Sequence, residues 1–102
     1  MINKKDVIAR RIFGWSLNSS GKWFDLEKRT FISDSEFKPD QNLDQAILIV
    51  ERLQQFGFTY TKKSDFEVGF NDIYGTGNTL AEAITNAAYQ LAENSSISDD
   101  WL

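Results

Sequence analysis

The chain has 102 residues, with 15 Asp plus Glu against 11 Lys plus Arg, a formal charge of −4, and neither Cys nor His. That length suits one domain, the missing Cys excludes disulfides and thiolate chemistry, and the missing His removes the commonest general base and metal ligand. An acidic balance disfavours a duplex-DNA binder, whose footprint is a basic patch, while 14% aromatic residues can supply a packed core.

Asn3 is a candidate N-cap, and Val7, Ile8, Ile12 and Phe13 follow at helical spacing, so the pattern predicts a helix over about residues 3–13 closed by Gly14. Residues 15–37 change character. Trp15 and Leu17 alternate, Asn18-Ser19-Ser20-Gly21 is a turn, and Trp23-Phe24 and Thr30-Phe31-Ile32 have strand composition. Asp40 or Asn42 then caps a helix in which Leu43, Ala46, Ile47, Val50 and Leu53 keep the 3.6 period, with Phe56-Gly57 at its end. Leu48 and Ile49 widen its apolar face, which predicts burial on two sides.

Phe58-Thr59-Tyr60-Thr61-Lys62 and Phe66-Glu67-Val68-Gly69-Phe70 alternate with period two around Lys63-Ser64-Asp65, the pattern of a hairpin with Phe66, Val68 and Phe70 on one face. Residues 71–78 read as a loop. Thr79-Leu80-Ala81-Glu82 matches a capping box, and Leu80, Ala83, Ile84, Ala87, Ala88 and Leu91 give an apolar stripe to about residue 93. The expectation is one α+β domain over residues 1–94, a layered sandwich of a small antiparallel sheet (3–4 strands) covered by about three helices, with a flexible acidic tail at 95–102. No apolar run reaches the ~20 residues of a bilayer span, and no h-region follows Lys4-Lys5. A soluble cytoplasmic protein is therefore expected.

Several of these features occur in an order that resembles the small phage-encoded proteins carrying the phage ABA sandwich domain. They are the Gly14-Trp15 step after the first helix, the Trp-bearing strand at Gly21-Lys22-Trp23, the Phe37-Lys38-Pro39 turn ahead of Leu43-Asp44-Gln45-Ala46, and Thr79, Ala83-Ile84 and Ala87-Ala88 in the last helix. The resemblance spans about residues 3–93; Leu80 stands where a small residue and a proline often follow that threonine. It implies a layered architecture and a phage or prophage origin. Phage proteins of comparable size include sponges that sequester nucleotide-derived signals of bacterial immunity, an analogy of size and origin.

Gly75-Thr76-Gly77-Asn78-Thr79 is the most suggestive segment for chemistry. A glycine-rich loop feeding a helix can offer unpaired N–H groups at the positive end of the macrodipole, a phosphate cradle; the same residues also serve as a plain turn and cap. Arg10 and Arg11 could grip a phosphate and Trp15 or Trp23 stack a base, or they could be solvated cations and core rings. Lys38 could add charge to a pocket or lie on the surface. Asp25 and Glu27 share a strand face and are the best acids for a cation or acid–base pair, against an ordinary charged strand end.

The expected function is that of a non-enzymatic phage accessory protein that binds and sequesters a nucleotide-type ligand through Arg10, Arg11, Trp15, Trp23, Thr76, Gly77, Asn78 and Thr79. It would work without a cofactor or metal, away from duplex nucleic acid and membrane, and as a homodimer with sites near the interface. The alternative is a protein–protein interaction module that inhibits or decoys a host protein, and a third reading is a hydrolase using Asp25 and Glu27.

Overall fold

The computed structural model describes residues 4–26 and 28–93, so the expected cap at Asn3, Glu27 and the tail at 95–102 lie outside the described residues. The first helix, α1, is α-helical only over Lys4–Val7 and continues as a π-helical turn over Ile8–Ile12. In that turn the Phe13 amide donates to the Ile8 carbonyl at 3.2 Å. The extra residue per turn delivers Phe13 onto Trp15, stacked at 4.6 Å between ring centroids, and edge-on to Phe37 at 6.2 Å. Gly14 closes the segment at φ +70°, as a C′ glycine does.

The next strands are β1 (Ser16–Leu17), β2 (Lys22–Asp25) and β3 (Thr30–Ser33), an antiparallel sheet in that order. The Asn18 side chain holds the β1–β2 turn by accepting from the Ser20 and Lys22 amides. Trp23 pairs with Leu17 and Ile32 on the inner face, while Phe24 pairs with Phe31 on the other, their rings 4.8 Å apart.

Helix α2 (Leu43–Gln55) starts at Asn42, whose side chain accepts from the Gln45 amide at 3.2 Å. Of the two candidate caps, Asn42 is therefore the one used. Ala46, Ile49, Val50 and Leu53 are buried, but Leu43, Ile47 and Leu48 are 46%, 40% and 39% exposed. The burial on two sides expected for α2 is not reached: within the described residues only one face of this helix is covered.

A second antiparallel sheet follows in the order β4 (Tyr60–Ser64), β5 (Glu67–Phe70) and β6 (Ile73–Thr76). Two expectations are corrected here. The stretch 71–78 is not all loop, because Asn71-Asp72 forms a two-residue turn, with Asn71 at φ +55°, that folds Ile73 back onto Phe70. Phe66 does not join Val68 and Phe70 in the core: it sits in the β4–β5 turn, 57% exposed, where its carbonyl accepts from the Gly77 amide.

Helix α3 (Leu80–Glu93) is the central element, packed on β5 and β6 on one side and on α2 on the other. Its alanines make this possible: Ala81, Ala83, Ala87, Ala88 and Ala92 are all buried and let both neighbours approach closely. The α+β layered architecture expected from the sequence holds, with the strands divided between two three-stranded sheets. No described helix is long and apolar enough to cross a membrane.

Candidate functional site

Several amides of the expected phosphate cradle before α3 are taken by the chain itself. The Asn78 amide donates to Glu82 Oε1 at 3.0 Å, and the Glu82 amide donates to Thr79 Oγ1 at 3.1 Å, which closes the capping box. The Gly77 amide is taken by Phe66, and the Thr76 carbonyl by the Asn86 side chain at 2.7 Å. The two glycines serve packing. A Cβ on Gly75 would fall 2.6 Å from Ala87 Cα, and one on Gly77 would fall 2.7 Å from the Ala83 nitrogen. They are glycines because backbone meets helix there.

The cationic and aromatic partners are elsewhere. Arg11 Nη1 donates to the Ala92 carbonyl at 3.1 Å, at the far end of α3 from Thr79. Thirteen residues at ~1.5 Å rise separate those ends by about 20 Å. Arg10 lies over the Trp23 ring at 5.2 Å. Trp23 is fully buried, with its Nε1 donating to Asp34 Oδ1 at 2.8 Å and Arg10 over the ring, so it offers no open platform for stacking a base. Trp15 is half-buried against Phe13 and Phe37 and edges a separate cleft of about 110 Å³ shared with Asp25 and Arg52. The eight-residue site expected from the sequence is thus not assembled, because its members are distributed over both ends of α3 and the core. Asp25 accepts from the Lys28 amide at 3.2 Å, a local turn contact, and the described residues hold no group of three or more metal-ligating side chains.

What the fold does assemble is a groove of about 630 Å³ between α1, the 37–41 loop and the first half of α3. This is within the ~300–1,000 Å³ of small-molecule sites. Buried Phe37 and Pro39 anchor the loop. Gln45 clamps it from α2, accepting from the Lys38 amide at 2.6 Å and donating to the Glu36 carbonyl at 2.9 Å. Lys38 thereby joins the lining of the groove, while Lys4 and Lys5 enter from α1.

Lys5 is committed, with Nζ 2.8 Å from the Asp34 carbonyl and 3.3 Å from its carboxylate. Lys4 Nζ donates to Asn86 Oδ1 at 2.7 Å, and the same Asn86 holds β6. Helix α3 supplies Glu82, Thr85 and Asn86, which share a face at i, i+3 and i+4. Thr85 is the anomaly. It is 2% exposed and its hydroxyl has no hydrogen-bond partner, a condition that native structures seldom tolerate without a reason. Nothing in the sequence marks it, since a threonine inside an alanine stripe reads as a spacer.

The model of the Phage ABA sandwich domain matches residues 6–89. No curated protein and no solved structure gives a significant match. With most of its length accounted for by that one model, and with the layered helix and sheet arrangement just described, the chain belongs to the phage ABA sandwich domain family and is a phage accessory protein.

Proposed function

We propose that the protein is a non-enzymatic binder that takes a nucleotide-type anion into the lysine groove and so withholds a nucleotide-derived immune signal from a host effector. The observation that carries this reading is a cavity of about 630 Å³ lined by Lys4, Lys5 and Lys38. Sequestration requires affinity and no proton transfer, which suits a chain without His or Cys. The groove's Glu82 is already occupied in capping α3. The test is to expose the protein to lysate of defence-activated cells, release bound small molecules by heat and identify them by mass spectrometry. A phosphorylated, ultraviolet-absorbing species absent from a Lys4→Gln/Lys38→Gln variant supports the reading. Equal release from both proteins refutes it.

A second reading rests on α2, whose Leu43 and Ile47, one turn apart, are apolar and 46% and 40% exposed. It favours a partner protein, or a second copy of the chain in a twofold dimer. Leu43 also lines a concavity of about 460 Å³ that shares Asp40, Gln41 and Glu82 with the groove, so a dimer through α2 would set the ligand near its interface. Sedimentation of Leu43→Glu/Ile47→Glu against the parent separates the dimer from the monomer, and pull-down from host lysate reports a foreign partner.

A further inference from the structure

We infer that the open edge of β3 pairs with β3 of a second copy of the chain, antiparallel about a twofold axis at Phe31, to make one six-stranded sheet; this goes beyond the groove and does not depend on it. The ladder between β2 and β3 shows which main-chain groups are available. The Asp34 amide donates to the Gly21 carbonyl at 3.0 Å, and in the same register Trp23 is opposite Ile32 and Phe24 opposite Phe31. Hydrogen-bonded pairs alternate with non-bonded pairs along an antiparallel ladder. Trp23 and Ile32 are therefore a bonded pair, and Phe24 and Phe31 are not. The other side of β2 agrees. The Asn18 amide donates to the Lys22 carbonyl at 2.9 Å, which makes Ser16 and Phe24 a bonded pair, so Phe24 gives its main-chain groups to β1. Phe31 turns its own N–H and C=O out of the sheet, where no described group meets them.

The other sheet edges are guarded in ways that edge strands usually are. Strand β1 is two residues long. Strand β4 carries exposed Lys62 and Lys63 and an irregularity between Lys62 and Ser64. Strand β6 gives its Thr76 carbonyl to the Asn86 side chain. Strand β3, Thr30-Phe31-Ile32-Ser33, has no charge, proline or bulge, and its Phe31 is 58% exposed. Ser33 selects the register. Its carbonyl already accepts from the Glu36 and Phe37 amides at 2.9 and 3.2 Å, so Phe31 set opposite Ser33 would lack an acceptor. Phe31 set opposite Phe31 exchanges two N–H to C=O bonds, with Thr30 opposite Ile32 on either side. Opposed residues share a face, so the two Phe31 rings meet on the outer face, each 4.8 Å from its own Phe24. A row of four phenyl rings then crosses the junction. Arg29 falls opposite Ser33, so no like charges are directly opposed. One strand from each copy is a contact at the small end of specific interfaces, held mainly by main-chain bonds, and the dimer is expected to be reversible.

Single cysteines test this directly, because the chain has none of its own. A bonded antiparallel pair sets its Cα atoms about 5.5 Å apart, inside the span of a disulfide. Under mild oxidation Phe31→Cys should give covalent dimer at least about tenfold faster than Thr61→Cys on β4. In sedimentation of the full chain the parent should dimerise reversibly and Phe31→Tyr should keep the dimer. Phe31→Lys, with an unchanged far-ultraviolet spectrum, should weaken association at least about tenfold, whereas Leu43→Glu/Ile47→Glu on α2 should leave it intact. A parent that stays monomeric up to about 1 mM, or equal crosslinking of Phe31→Cys and Thr61→Cys, overturns the inference. So does a dimer that survives Phe31→Lys and is lost in the α2 variant. Should Phe31→Lys fail to fold, the crosslinking comparison decides alone.

Discussion

Replacing Gly75 with alanine separates the two readings of the glycine-rich segment by stability alone. The added Cβ would lie 2.6 Å from Ala87 Cα and 2.9 Å from Ala87 Cβ, with the Ala87 nitrogen also in contact. The obstacle is helix backbone, not the flexible end of a side chain, so β6 and α3 must separate by close to an ångström to reach ordinary contact. A gap of ~0.5–1 Å forfeits a quarter to a half of the dispersion well for each atom pair along the seam. That seam holds Ala83, Ile84 and Ala87 against Val68 and Phe70, all fully buried. Overpacking of this kind costs ~1–3 kcal/mol, and the rigidity of the obstacle places Gly75→Ala toward the upper end. The φ of Gly75 is not in the left-handed region, so alanine recovers ~0.4–1 kcal/mol through the unfolded chain, leaving a net loss of about 2 kcal/mol. For a domain of this size each ~1 kcal/mol moves Tm by roughly 4–8 °C. Calorimetric melting should therefore fall by about 8–16 °C, while Thr76→Ala, at an exposed neighbour, should leave Tm nearly unchanged. A Gly75→Ala protein that melts with the parent would refute the packing role and return the glycines to a loop that could open for a ligand.

Thr79→Ala removes the acceptor for the Glu82 amide and should cost about 1 kcal/mol, read as a drop in urea midpoint at constant m-value. Trp23→Phe keeps a buried ring but strips Asp34 of the indole donor; a loss of about 1–2 kcal/mol is expected in the same assay, and a neutral result would contradict its place in the core. Burial pushes the Tyr60 phenol above its ordinary value near 10, with Lys62 partly opposing. The neutral phenol is thus favoured in the folded state, so its stabilisation is complete below about pH 10 and is lost as pH rises beyond it. Phenolate absorbance should show one late-titrating tyrosine that disappears in Tyr60→Phe, and that variant should lose less stability above about pH 10 than the parent.

The features legible in the sequence are those whose cause is local. Gly14 at φ +70° and the Thr79–Glu82 box each act within a few residues and are where the sequence places them, and the Asn42 cap is one of the two candidates it offers. The illegible ones are decided by partners far along the chain. Gly75 and Gly77 fit a phosphate loop and a tight strand–helix contact equally well, and only the arrival of Ala87 and Ala83 distinguishes them. Arg11 ends on a carbonyl 81 positions away, which no window on the sequence contains. Strand β6 is four residues long and opens with Ile73-Tyr74 after a two-residue Asn-Asp turn, a signal present in the composition but shorter than the window that detects alternation.

The capping box explains why the proposed site lies beside the start of α3 and not on it. A helix start offers its amides either to its own cap or to a guest, and Thr79 with Glu82 makes the first choice for α3. Positive charge for an anion must then come from side chains, and the nearest are on α1 and the 37–41 loop, which reach the same helix one turn further on at Thr85 and Asn86. Asn86 joins these parts: it receives Lys4 from α1 and donates to the Thr76 carbonyl of β6. Docking α1 onto α3 and holding β6 in register are thus coupled through one amide side chain. The groove is consequently a property of the tertiary fold and is present only when three separate segments are seated. That dependence is why a motif search along the chain finds the capped helix start and passes over the groove beside it.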